Sequence, residues 1–297
     1  MKNPRELVKQ MLPARLQRLA RFVYRLPVNY RADYSYQICA EHRLGHGIIA
    51  LTDDIAIALP DHSVANSVFH SMAFETTNRA EVDEFLQLAA GCKNLVDVGA
   101  SGGFFSALFV RSRKSANVLS IEFDSPSLSV LEQTKTRNSC SSCTWIIDRR
   151  GVSDQAAIVE VVSSGYGGAV ATEIDRADAE NFSTVNRRSY GSFEVSVDQL
   201  GGICSEHQFR PDIIKVDIEG FEHEMVTSSI NWLNDIKPRL SFELHVEKLY
   251  QQGKNPKELL SLLDSMGYKL AKTGKPAAQM INMVDGSGVA RAGLRAD

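Results

Sequence analysis

Two stretches of this 297-residue chain place ionisable or conformationally free residues at the ends of apolar runs. The first, NLVDVGASGGFFSALF over 94–109, reads as an apolar strand, an acid, a glycine turn and an apolar helix. Gly99, Gly102 and Gly103 permit positive φ and leave no side chain to block a flat ligand. Such a turn brings backbone N–H groups and a helix N-terminus to one point. No Gly-Lys-Ser/Thr follows, so a phosphate-cradling P-loop is excluded. The next apolar run, VLSIEF, ends in Glu122, 23 residues beyond Gly99, where an acid can accept both hydroxyls of an adenosine ribose. Strand, turn, helix, strand and acid together imply a nucleoside cofactor. The spacing does not separate a nicotinamide dinucleotide from S-adenosylmethionine. Asp97 has a competing reading, a buried acid satisfied by backbone N–H groups.

The second stretch is PDIIKVDIEGFEHEMV over 211–226, an apolar strand that ends in Asp217 and Glu219 before Gly220 and a helix. LSFELH adds Glu243 and His245 at the end of another strand. The carboxyl ends of central strands line the binding crevice of an open α/β sheet. Acids placed there are costly unless used or paired, and Lys215 is a candidate partner. His245, Asp217 and Glu219 are the candidate proton acceptors. Oxygens with one imidazole also suit Mg²⁺ or Mn²⁺, so Asp217, Glu219 and His245 form a conceivable divalent-metal set, but no metal is expected.

The elements that must position these residues alternate. NLVDVG, VLSIEF, TWIID, DIIKVDI and RLSFELH read as strands. FFSALFVRSR, SPSLSVLEQTKTR (Ser125 as cap), FEHEMVTSSINWL and NPKELLSLLDSMG (Asn255 as cap, Gly267 as stop) read as helices, and YKLAK and QMINMV as the last two strands. This predicts an α/β fold with a mostly parallel, doubly wound sheet. AAIVEVV and SFEVSV alternate like exposed strands. They flank a polar, glycine-rich segment, and its part from Tyr166 to Tyr190 is expected to cover an acceptor, with Arg176, Arg187 and Arg188 available to an acidic sugar. Upstream, IIALTDDIAIAL reads as a hairpin, and Asn78 as the cap of a helix running to Gly91. Three divisions are therefore expected: an extension over 1–80, the main domain over 81–284 and a mobile tail over 285–297.

In order and wording these segments resemble the FkbM-type methyltransferases. The resemblance rests on VDVGASGGFFS, VLSIEFD, GVSDQAAIVEV, VSVDQL, PDIIKVDIEGFEHEMV and LSFELH, and covers about Glu81 to Val284. It implies a Rossmann-like class I methyltransferase fold with an antiparallel last strand, behind an N-terminal helical and hairpin extension. It also implies S-adenosylmethionine as cofactor and methyl transfer to a hydroxyl, often on a sugar or polyketide-like molecule. The residues expected to hold the cofactor are then Asp97, Gly99, Ser101, Gly103, Glu122, Ser153, Asp154 and Asp217. Gly99, Ser101 and Gly103 would meet the methionine end and Glu122 the ribose. Asp154 would lie near the adenine, with Ser153 or Val152 as substitutes. A nicotinamide oxidoreductase would want a hydride-handling Tyr-x-x-x-Lys or His–Asp pair in the usual places, and Tyr24, Tyr166 and Tyr190 lack a lysine four residues on. A non-catalytic nucleoside-binding module is the remaining alternative.

Composition bounds the partners. Net charge is -3 and pI about 6.2, so no nucleic-acid partner is expected. The acceptor is expected to be a small molecule or glycan. Lys2, Arg5, Lys9, Arg15, Arg18, Arg21 and Arg25 face one acid, Glu6, while Leu12, Leu16, Leu19, Val23 and Leu26 recur at helical spacing. That basic amphipathic helix over 1–26 would dock on protein, or contact an anionic membrane surface. Five cysteines and no signal-like segment point to a reduced cytoplasm, with Cys140 and Cys143 an incidental loop pair.

Overall fold

The structure, a computed structural model, describes residues 47–162 and 192–296. The amphipathic helix expected over 1–26, and the segment from Tyr166 to Tyr190 with its three arginines, lie outside the described residues. The hairpin is present as β1 (Ile48–Ala50) and β2 (Ala56–Ala58), antiparallel. Helices α1 (Ser63–Phe74) and α2 (Thr76–Leu88) follow. Then come β3 (Asn94–Val98), α3 (Phe104–Arg111), β4 (Ala116–Ile121), α4 (Ser125–Asn138) and β5 (Cys143–Asp148). Strands β6 (Gly151–Val152), β7 (Ala157–Val162) and β8 (Ser192–Asp198) form a small separate sheet in the order β6–β8–β7. The chain continues through α5 (Leu200–Glu206), β9 (Ile213–Val216), α6 (Glu222–Ser228), α7 (Ile230–Ile236), β10 (Arg239–His245), α8 (Val246–Gln251), α9 (Pro256–Ser265) and β11 (Tyr268–Leu270). A 3₁₀ helix (Ala277–Met283) leads into β12 (Val289–Ala296).

The main sheet has seven strands in the order β11–β12–β10–β9–β3–β4–β5. All run parallel except β12, which is antiparallel to both β10 and β11. This is the Rossmann-like class I methyltransferase arrangement, with its antiparallel last strand. Helices cover both faces, which is why the central strands are buried throughout. Side chains alternate across the sheet. Val96, Val98, Ile214 and Val216 enter a core shared with α5, α6, α7, α8 and α9. Leu95 and Ile213 enter the opposite core, shared with α2, α3, α4 and the hairpin. The same alternation sets Asp97 and Lys215, register partners on β3 and β9, on that second face.

Several expectations are corrected. The supposed mobile tail over 285–297 carries β12, paired along its length with β10. QMINMV is not a strand but lies in the 3₁₀ helix. The extension over 1–80 does not end at a domain boundary, because residue 81 falls inside α2 and Ile49, Ile57 and Phe69 share a core with Leu95 and Phe104. Asn78 lies inside α2 and donates to Ser71 Oγ at 2.7 Å instead of capping. Asp124, not Ser125, caps α4 by accepting the Ser127 N–H at 3.1 Å. FEHEMVTSSINWL forms two helices broken at Ser229. Cys140 and Cys143 form a disulfide, while Cys92 and Cys204 are free and buried. No helix among the described residues is long and apolar enough to cross a membrane.

The C-terminal end of β5 is pinned by charge. Buried Asp148 accepts from Arg150 Nη2 at 2.8 Å and faces His207 Nε2 at 2.8 Å, while Arg150 also reaches Asp198 at 3.2 Å and Glu206 at 2.8 Å. Burial alone would raise the Asp148 carboxyl, but hydrogen bonds from Arg150 and His207 hold it down at about 2. A folded pKa below the unfolded one gives stability that is present above about pH 4 and lost as pH falls through about 2. The expected contribution is about 2 kcal/mol, read as the difference in acid-side slope of urea stability between wild type and Asp148→Asn. Equal slopes would remove this account.

Candidate functional site

A cleft of about 160 Å³ opens at the carboxyl ends of β3, β4 and β9. This is the point where the strand order reverses, β4 lying on one side of β3 and β9 on the other. Its walls come from four chain segments: Val98, Gly99 and Ser101; Ile121, Glu122 and Phe123; Arg150, Gly151 and Val152; and Asp217, Ile218, Glu219 and Phe221.

The glycine turn is shaped by crowding. Gly99 has φ +76°, and a Cβ there would overlap the carbonyl oxygen of Asp217, so β3 and β9 leave the sheet almost touching. Gly103, at φ +82°, caps α3, and its missing Cβ makes room for Leu131 rather than for a ligand. Four N–H groups of the turn, those of Gly99, Ala100, Ser101 and Gly103, are already engaged. Gly99 and Ala100 donate to Ile121 O at 3.0 and 3.1 Å, Gly103 donates to Ala100 O at 2.8 Å, and Ser101 donates to Glu122 Oε2 at 2.7 Å.

Glu122 is buried, and three backbone N–H groups hold its carboxylate: Ser101 on one oxygen, Phe123 and Asp124 at 2.8 Å on the other. Burial raises its pKa to about 7 in spite of these donors. Of the other residues assigned to the cofactor, Gly99, Ser101 and Asp217 line the cleft, and Asp97, Gly103, Ser153 and Asp154 do not. Asp97 points under α3, as strand alternation requires. It accepts from Ser106 Oγ at 2.5 Å, and burial is the main cause of its raised pKa, opposed by Ser106 and Lys215. Ser153 and Asp154 are turned toward each other, Oγ to Oδ1 at 3.2 Å, and Val152 faces the cleft in their place. Sequence reasoning missed Phe123, Arg150 and Phe221. The apolar–aromatic end of VLSIEF was the available signal for Phe123; nothing marked the other two.

Beside the cleft lies a charge cluster centred on Lys215, whose ammonium is fully buried. It sits 3.3 Å from Glu81, 3.3 Å from Glu243 and 4.0 Å from Asp217. Burial would lower its pKa, but Glu81, Asp217, Glu243 and Asp97 outweigh burial and raise it. Arg291 of β12 pairs with Glu243, Glu81 and Asp285. Burial would raise Glu243; Lys215 and Arg291 hold it below the usual carboxylate range. Asp217, half open to the cleft, is shifted upward, by desolvation first and then by Glu243 and Glu219 against the pull of Lys215.

The structure brings the three expected proton acceptors together. His245 Nε2 lies 3.3 Å from Glu219 and 3.9 Å from Asp217. His245 Nδ1 meets Glu222 Oε1 at 2.7 Å, a partner sequence reasoning missed although Glu222 opens α6. Burial lowers the His245 pKa, but the Glu222 bond reverses this and raises it, with Glu219 and Asp217 adding. The candidate metal grouping differs from expectation: Asp217, Glu243 and His245 have ligand atoms within 4.8 Å of one another, but both Glu243 oxygens already face cations.

Comparison with known proteins follows the geometry. Residues 97–270, 174 of the 297, match the model of the methyltransferase FkbM domain. The chain is similar to a methyltransferase FkbM from Methylobacillus flagellatus KT at 15% identity and TM-score 0.41, over 78% of this chain and 54% of that one. It therefore spans about half the length of that relative. It is also similar to the N-methyltransferase NodS from Bradyrhizobium japonicum WM9 bound to S-adenosyl-L-homocysteine, at 12% identity and TM-score 0.38, over 76% and 90%. A third likeness is to an O-methyltransferase from Bacillus cereus in complex with the same product, at 10% identity and TM-score 0.35, over 74% and 80%. No curated protein sequence matches the chain significantly.

Removing the central ammonium leaves buried acids without a counter-charge. Lys215→Met is expected to lose about 3–5 kcal/mol of stability in urea unfolding. Adding Glu243→Gln should recover part of that loss, because the two groups touch. Strict additivity of the two changes would refute the cluster as described.

Proposed function

The chain belongs to the FkbM methyltransferase family, and from that premise we propose that it binds S-adenosylmethionine in the cleft and methylates a hydroxyl of a sugar, glycan or other small acceptor. The observation that carries the reading is the charge of the cleft. Glu122, Asp217 and Glu219 line it, and its basic residue among those described, Arg150, is committed to Asp148, Asp198 and Glu206. An acidic crevice favours a cationic nucleoside and disfavours a pyrophosphate, whose negative charge its carboxylates would repel. The donor set therefore fits a sulfonium nucleoside better than a nicotinamide dinucleotide.

Glu122 would accept the ribose hydroxyls with the lone pairs its N–H donors leave open. Phe123 and Val152 supply apolar wall for a flat base. Asp217 and the backbone at Gly99 and Ser101 would meet the amino-acid end. When bound, the sulfonium supplies an activated methyl carbon, and the sulfur keeps the bonding pair. The chain's own part is to align the acceptor oxygen, which can be worth about 7–11 kcal/mol at best, and to take its proton, worth about 10²–10⁴-fold. The gathering of His245, Asp217 and Glu219 supports an acceptor that must lose a proton, as a hydroxyl must.

Calorimetry with S-adenosylhomocysteine and with NAD tests the cofactor. Micromolar binding of the first alone is expected. Glu122→Ala should weaken that binding about 10–100-fold, the worth of hydrogen bonds to a buried carboxylate. Because the free Glu122 titrates near 7 and the diol prefers the carboxylate, affinity should rise as pH increases through about 7 and level off above it. Unchanged affinity in Glu122→Ala sinks the assignment. Methyl-labelled cofactor offered to glycan and small-molecule hydroxyls tests the transfer itself.

A further inference from the structure

Resting on the reading that the acceptor gives up a hydroxyl proton, we propose that Glu222 is a positioning residue that holds His245 with Nδ1 protonated and Nε2 turned to the Asp217–Glu219 corner of the cleft, making His245 the general base. Several carboxylates stand close enough to take a proton, and the geometry separates them by partner. Glu243 is bound by Lys215 and Arg291. Glu219 is held by Lys248 at 2.9 Å, and Asp217 lies 4.0 Å from the Lys215 ammonium. Glu222 meets an imidazole. Its Oε1 takes His245 Nδ1 at 2.7 Å and the Gly220 N–H at 3.0 Å, so two donors fix that oxygen.

The burial of Glu222 makes a purely structural role a poor account. The residue is fully buried, and its Oε2 has no hydrogen-bond partner among the described residues. A glutamine would serve Gly220 equally well, so that contact alone does not call for a charged side chain. A carboxylate is needed there only if positive charge forms opposite it. That occurs when Nε2 takes the acceptor proton: the O–H bond breaks, the oxygen bonds to the methyl carbon as the carbon–sulfur bond breaks and leaves its pair on sulfur, and the imidazolium rests against Glu222 until the proton leaves to water. Nε2 is well placed, since Glu219 and Asp217 stand before it and both line the cleft. The charged groups around the ring are thus Glu222 from α6, Asp217 and Glu219 from the turn before it, Glu243 on its own strand, Lys215 on β9 and Lys248 on α8.

The test uses ¹⁵N-histidine protein, with the His245 signal assigned by its loss in His245→Gln. In wild type, neutral His245 should be the Nδ1–H tautomer. In Glu222→Gln the fold and S-adenosylhomocysteine affinity should be kept, while the His245 midpoint falls by about one pH unit. In methyl transfer, Glu222→Gln should lower kcat by about 10²-fold with KM little changed, and its acid limb should shift down with the imidazole. Glu222→Asp, which keeps the charge, should restore part of the rate. A wild-type His245 protonated at Nε2 with a bare Nδ1, or a Glu222→Gln protein that titrates and turns over like wild type, overturns the proposal. The nuclear resonance arm needs no turnover, so absence of cofactor binding or transfer would count against the function alone. A correct tautomer in a protein that binds no sulfonium nucleoside would separate the two failures.

Discussion

A single ammonium with no access to water sets the terms for the site. Lys215 lies in the middle of the sheet, where an unpaired charge is among the most expensive things a fold can contain. It is tolerable because carboxylates arrive from three directions: Glu81 from α2, Glu243 from β10 and Asp217 from the end of its own strand. Arg291 then closes the balance from β12, reaching Glu81 and Glu243 together. The cluster therefore ties the N-terminal helix layer, the parallel core and the antiparallel last strand to one electrostatic centre. An element that shifts leaves a buried charge uncompensated, which is a stronger positional constraint than apolar packing of similar area.

The second constraint is steric and lies a few ångströms away. The chains leaving β3 and β9 approach so closely at Gly99 and Asp217 that no side chain fits between them. That contact brings the turn carrying Ser101 and the turn carrying Asp217 and Glu219 to opposite walls of one cleft. Doubly wound topology explains why a crevice exists at this strand reversal. The glycine explains why its floor is backbone, and the neighbouring charge cluster explains why one wall is acidic.

Much of this was legible in the sequence because it depends on local rules. Short apolar runs alternating with helical segments marked six of the seven sheet strands, and acids at the ends of VLSIEF and DIIKVDI marked the cleft. The failures have a common physical origin. The last strand, VARAGLRA, is built from small residues and arginines with weak strand preference, and it is a strand because β10 and β11 pair with it. Gly293 is part of that pairing: a Cβ there would press on Leu88 and Glu84 of α2. Asp97 was assigned to the ligand by nearness to the turn, whereas the odd–even rule turns its side chain into the body of the domain. Glu222 escaped notice because its partner lies 23 residues on, and only the docking of α6 beside the end of β10 brings them together.

The acids of the site divide by what holds them, and the division is also one of chemistry. Glu122 is held by backbone N–H groups alone, with no cation, so burial leaves it near neutrality and responsive to a hydroxyl-bearing ligand. Glu81 and Glu243 are each held by two cations, Lys215 and Arg291, which suits them to bracing the sheet. Glu222 faces an imidazole and can stabilise a charge that appears and disappears. Like side chains thus acquire different electrostatic settings from their partners: backbone N–H groups around one, a pair of cations around two and an imidazole beside the fourth.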